Sequence, residues 1–183
     1  MQVRKLAGMG FNAFRVSFQS QCTTWQEMGS YKPSYLNRSI TIANKYGMWI
    51  IVDYHGFTDL DDGSSASCWL SFWQPVVKQF EQSYDRIIWE PLNEPTGFGD
   101  NVTFLGQEYR LWINQARGLG DTHWIVVQNL CSYTCGFTDF ADGYPTVADP
   151  AGRIFISLHS YLDYKEYSTV WNNATAEAVA NQY

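Results

Sequence analysis

Apolar and β-branched residues gather into five short runs along the chain, 11–18, 49–55, 86–93, 123–129 and 153–160. Each has the length and near-continuous hydrophobicity of a strand buried on both faces. Between the runs, apolar residues recur at helical spacing. Leu36, Ile40 and Ala43 share one face, with Ser34 as the expected cap and Gly47 as the stop. Trp69, Trp73, Val76, Phe80 and Tyr84 form a second stripe, in which Pro75 is expected to kink or delay the helix. Leu105, Tyr109, Trp112, Ala116 and Leu119 form a third, closed by Gly120. These aromatic stripes read as packing rather than ligand contacts. Val3–Gly10 reads as the end of a further helix, and 173–183 as the start of one.

A strand–helix unit repeated every 30 to 38 residues reads as parallel α/β. No Gly-rich phosphate loop follows a strand, which argues against a doubly wound nucleotide-binding sheet. Polar residues instead end each run: Arg15, then Asp53 and His55, then Asn93 and Glu94, then Gln128 and Asn129, then His159 and Tyr161. A site shared across strand ends is the habit of a (β/α)-barrel. The expected fold is an incomplete (β/α)8 TIM-type barrel, about five parallel strands with flanking helices, in a single domain spanning 1–183. Eight such units would need about 250 residues or more, so both ends are expected to be cut.

The most informative stretch is Ile87-Ile88-Trp89-Glu90-Pro91-Leu92-Asn93-Glu94-Pro95. An apolar strand is expected to run to Pro95, which cannot continue a ladder. Glu94 would then stand at the strand tip, where a carboxyl suits general acid/base work on a sugar. Glu90 would lie on the same face two pleats deeper, as a structural carboxylate paired with Arg15.

Composition narrows the partners. Of 183 residues, 45% are hydrophobic and only 16% charged, which fits a globular domain. The formal net charge of -6 offers no basic stripe for nucleic acid or an anionic membrane surface. No run is apolar for long enough to span a bilayer. His55, His123 and His159 show no metal-ligand spacing, so neither a metal nor a cofactor is expected. Asp59–Gly63 departs from a calcium loop, and no Gly-x-Ser-x-Gly elbow occurs. Three sequons, at Asn37, Asn101 and Asn173, fit a secretory history, although Met1–Leu6 lacks the apolar core of a signal peptide. Cys22 and Cys68 follow the first two strands on one face and could pair; Cys131 and Cys135 are close enough for a local bridge.

Gly10–Val16, Ile51–Gly56, Trp89–Pro95 and His159–Asp163, in this order, resemble glycoside hydrolase family 5, most of all its endo-β-1,4-glucanases. The resemblance implies Glu94 as general acid/base and Asn93 as the holder of the sugar 2-hydroxyl. It implies Arg15 as support for the catalytic carboxylates, with His55, His159 and Tyr161 as site residues. It further implies that the five runs are the second to sixth strands of the family barrel. The first, seventh and eighth, and with them the nucleophile Glu, are then expected to be lacking. Glu108, Glu166 and Glu177 have no strong claim to that role. The substrate implied is a β-glucan or cello-oligosaccharide, in a secreted protein. Trp25 and Trp69 are candidates for stacking on sugar rings. A non-catalytic glucan-binding remnant is the alternative. Unpaired strand edges at 11–18 and 153–160 predict a homo-oligomer that buries them.

Overall fold

The computed structural model describes residues 2–19, 22, 31–56, 66–96, 101–130, 145–157 and 159. Five strands, β1 (Ala13–Phe18), β2 (Trp49–Tyr54), β3 (Ile87–Glu90), β4 (Trp124–Gln128) and β5 (Ile154–Ser157), form one sheet in sequence order, with every neighbouring pair parallel. Helices α1 (Gln2–Gly8), α2 (Pro33–Tyr46), α3 (Ala66–Phe80) and α4 (Val102–Gly118) complete the described elements. This is part of a (β/α)8 barrel, as the strand–helix periodicity predicts.

Strand alternation divides the sheet into two faces. Ile50, Val52, Tyr54, Ile87, Trp89, Ile125 and Val127 pack in one cluster with Leu36, Ile40 and Ala43 of α2, Trp69, Trp73 and Val77 of α3, and Tyr109, Trp112 and Ile113 of α4. Trp73 lies at its centre, edge-on to Trp89 at 5.7 Å and to Trp112 at 5.4 Å between ring centroids. The alternate residues, Arg15, Asp53, Glu90 and Gln128 among them, fall on the opposite face.

Three local expectations are corrected. Ser34 does not cap α2: Lys32 is the N-cap, with extended backbone and no side-chain bond, and Pro33 takes the first turn. A proline there loses nothing, because that N–H has no helical partner anyway. Pro75 does not delay α3, which starts at Ala66 and runs through it; burial of Trp69, Trp73, Val76, Val77 and Phe80 outweighs the lost bond. β3 ends at Glu90, not at Pro95. Pro91 already lacks the N–H that the ladder needs. Gly47 closes α2 in the left-handed conformation at φ 62°, where a side chain would be strained. The helix expected over 173–183 lies outside the described residues.

A disulfide joins Cys22, after β1, to Cys68 in the first turn of α3. Cys131 and Cys135 lie outside the described residues.

Candidate active site

Pro91 ends the ladder, and the chain then turns through Leu92, Asn93 and Glu94. The core holds this bend from behind. Trp69 and Trp73 of α3 both donate their indole N–H to the Pro91 carbonyl, at 2.9 and 3.2 Å. Tyr109 of α4 donates its hydroxyl to the Leu92 carbonyl at 3.4 Å and accepts from the Gln128 N–H at 3.1 Å. The Asn93 N–H still donates to the Tyr54 carbonyl of β2 at 2.9 Å. Glu94 then takes a left-handed backbone at φ 47°. That region costs a residue with a side chain about 1 kcal/mol or more.

The strand tips bring one polar network together. Arg15 donates Nε to Glu90 Oε2 at 2.6 Å and Nη2 to Glu90 Oε1 at 2.8 Å. The same Nη2 donates to Asn93 Oδ1 at 2.5 Å and lies 3.1 Å from Asp53 Oδ2. Asp53 Oδ2 also meets His55 Nδ1 at 2.9 Å, and Gln19 Nε2 donates to the His55 carbonyl at 3.0 Å. Gln128 donates Nε2 to Glu90 Oε1 and accepts the Glu94 N–H on Oε1 at 2.8 Å. His159 Nδ1 lies 2.7 Å from Glu94 Oε1.

Burial pushes the Glu90 carboxyl above the usual carboxylate range, against the pull of the Arg15 hydrogen bonds. Burial also works against the charge of Arg15, but its bond to Glu90 and the fields of Asp53, Glu90 and Glu94 outweigh it and raise its pKa. Arg15 thus draws the carboxyl-bearing ends of β2 and β3, with the Asn93 amide, into one cluster. Asn93 Nδ2 is buried and has no hydrogen-bond partner among the described residues.

Arg15, His55, Asn93, Glu94 and His159 therefore fall together, with Glu90 beneath them. The expected pleat relation between Glu90 and Glu94 is corrected, because the chain bends between them. Trp69 is also corrected: it is 0% exposed and hydrogen-bonded to Pro91, so no face is open to a sugar. Trp25 and Tyr161 lie outside the described residues. Glu108 lies on α4, buried, its carboxyl raised by burial. Glu166 and Glu177 are outside the described residues. The family resemblance assigns no role to Asp53 or Gln128, although both end their strands as polar residues. Their signal was register: Asp53 pairs with Glu90, and Gln128 reaches Glu90 from the other side.

Comparison with known proteins places the chain in a family. The family model for cellulase (glycosyl hydrolase family 5) matches residues 2–183. Endo-beta-1,4-glucanase B of Emericella nidulans is 30% identical over 166 residues, which cover 86% of this chain and 49% of that protein. The structure of an endo-beta-1,4-glucanase from Xanthomonas axonopodis pv. citri aligns with a TM-score of 0.71 at 20% identity, covering 92% of this chain and 57% of that one. A structure of XacCel5A in complex with cellopentaose aligns with a TM-score of 0.69 at 18% identity, covering 89% and 56%. At such identities the structural matches speak for the fold. The chain spans about half the length of the curated relatives it matches. With a family model matched from residue 2 to residue 183, the chain belongs to glycoside hydrolase family 5.

Proposed function

We propose that the chain serves an endo-acting hydrolase of β-1,4-glucans, with Glu94 as the general acid/base. The observation that carries this reading is the single network joining Arg15, Asp53, Glu90, Asn93, Glu94, Gln128 and His159 at the C-terminal ends of the strands. Glu94 would protonate the glycosidic oxygen, and the unpartnered Nδ2 of Asn93 would bind a sugar hydroxyl beside it. Glu90 and Asp53 are already bonded to Arg15, which suits them to support rather than attack. A retaining glycosidase also needs a nucleophilic carboxylate about 5–5.5 Å from the acid. The cello-oligosaccharide complex of a structural neighbour supports the choice of substrate class.

The domain is read as one unit over 1–183. The Cys22–Cys68 bond favours an oxidising, secretory setting. A homo-oligomer burying the edges of β1 and β5 remains part of the reading. The test is reducing-sugar release from carboxymethyl-cellulose by the 183-residue chain beside Glu94→Gln. Loss of release in the variant is expected; equal release by both would reject Glu94 as the acid.

A further inference from the structure

We infer that Gln128 is a positioning residue for Glu94: its side-chain amide ties the Glu94 backbone to the Glu90 carboxyl and so holds the left-handed turn that sets the Glu94 carboxyl against His159. Its part in hydrolysis rests on the reading of Glu94 given above. Its structural part does not.

The argument starts from donors and acceptors. Gln128 is only 2% exposed, at the end of β4. Its Oε1 accepts the Glu94 N–H at 2.8 Å, and its Nε2 donates to Glu90 Oε1. An N–H can only donate, and a carboxylate bonded by Arg15 can only accept. One amide orientation satisfies both ends. A hydrocarbon of the same size would leave both buried groups unpaired, and a carboxylate would set one acceptor against another. The backbone of Gln128 is itself fixed, since its N–H donates to the Tyr109 hydroxyl of α4 at 3.1 Å.

The bridge matters because of where it ends. Glu94 is the one non-glycine residue with positive φ among those described. Left alone, such a residue relaxes to negative φ. That relaxation swings the Cα–Cβ bond, and it moves the carboxyl away from the His159 ring, now 2.7 Å distant. The hydrogen bond that the Glu94 N–H donates to Gln128 Oε1 opposes it directly. Arg15 holds Glu90, Glu90 holds the Gln128 amide, and the amide holds Glu94.

The test reads the His159 contact without needing turnover. The chain has three histidines, so the ring nitrogens of His159 can be assigned by NMR on the labelled 183-residue chain. In Gln128→Leu the His159 ring signals are expected to match those of Glu94→Ala; signals matching the parent chain overturn the inference. Should Gln128→Leu fail to fold, Gln128→Glu decides. When protonated, the introduced carboxyl can still accept from Glu94 and donate to Glu90. It is expected to keep the parent His159 signals at acid pH and to lose them as pH rises. Parent-like signals at every pH overturn the inference, as does a difference that ignores pH. On a β-glucan, Gln128→Leu is expected to lower kcat by about 100-fold, the cost of a misplaced reacting group, with KM little changed. Undiminished kcat overturns the role in catalysis. If the parent chain releases no sugar at all, the hydrolase reading fails for this chain, and the His159 signals still decide the positioning.

Discussion

Away from the strand tips, Arg117 shows how a buried charge is kept at the other end of the sheet. Its guanidinium meets both Asp149 oxygens, at 2.8 and 2.9 Å, and also Asp121 Oδ1 at 3.2 Å and the His123 carbonyl at 3.0 Å. Asp121 Oδ2 also takes the Trp89 indole N–H at 3.1 Å. These partners fasten β3, α4, β4 and the approach to β5. The Arg117 hydrogen bonds pull the Asp149 carboxyl down to about 2, aided by N–H donors from Arg153 and Ala151. A carboxyl lowered on folding adds stability above its unfolded value, near 3.8, and that stability is lost as pH falls through about 2. Urea unfolding at stepped pH should therefore show an acid-side loss in the parent that is flatter in Asp149→Asn. Arg117→Ala should cost about 3 kcal/mol at neutral pH, since it strands two buried carboxylates. Overlapping acid limbs would show that the pair contributes nothing. At this scale the residue types were legible and their partners were not: nothing in the sequence pairs residue 117 with residue 149.

Helix α4 shows what an element adds to its residues. Asn101 caps it, its side-chain oxygen accepting the Phe104 N–H at 3.0 Å, and its apolar face follows the periodic stripe, with Leu105, Tyr109, Trp112 and Ala116 buried. Gly106 falls on the same buried side for another reason. A Cβ there would lie 3.2 Å from the Thr146 carbonyl oxygen, on the segment leading to β5. Gly118, at the end of the same helix, has open space around it. Gly106→Val should therefore destabilise by about 2 kcal/mol through overpacking. Gly118→Ala should be neutral or stabilising by up to about 1 kcal/mol, from helix propensity alone. Denaturant midpoints measured on both variants check this, and equal shifts would mean that the close approach does not constrain the helix. The same helix also supplies Tyr109, which reaches the site through Leu92 and Gln128. Its aromatic stripe was readable as packing, but the hydroxyl's second use needed the strand beside it.

For the whole molecule, β1 and β5 are the outer strands of the sheet among the described residues. Apolar side chains stand open near both, with Phe11 54% and Ile156 57% exposed. Unpaired edges beside exposed apolar groups favour association. Light scattering at micromolar concentration should find a species larger than a monomer, and Ile156→Lys should shift it toward the monomer; a clean monomer in the parent chain would reject the association. The sequence by itself determined the repeating strand–helix order, the parallel fold, the family, and the polar residues that end the strands. These are carried by local period and by motifs, which need no knowledge of distant contacts. Only the tertiary structure decided that β3 stops at Pro91, that Trp69 is sealed in the core, and that Gln128 joins Glu90 to Glu94. The physical reason is the same in each case. A bend, a burial and a bridge depend on groups brought from other strands and helices, and only folding sets those distances.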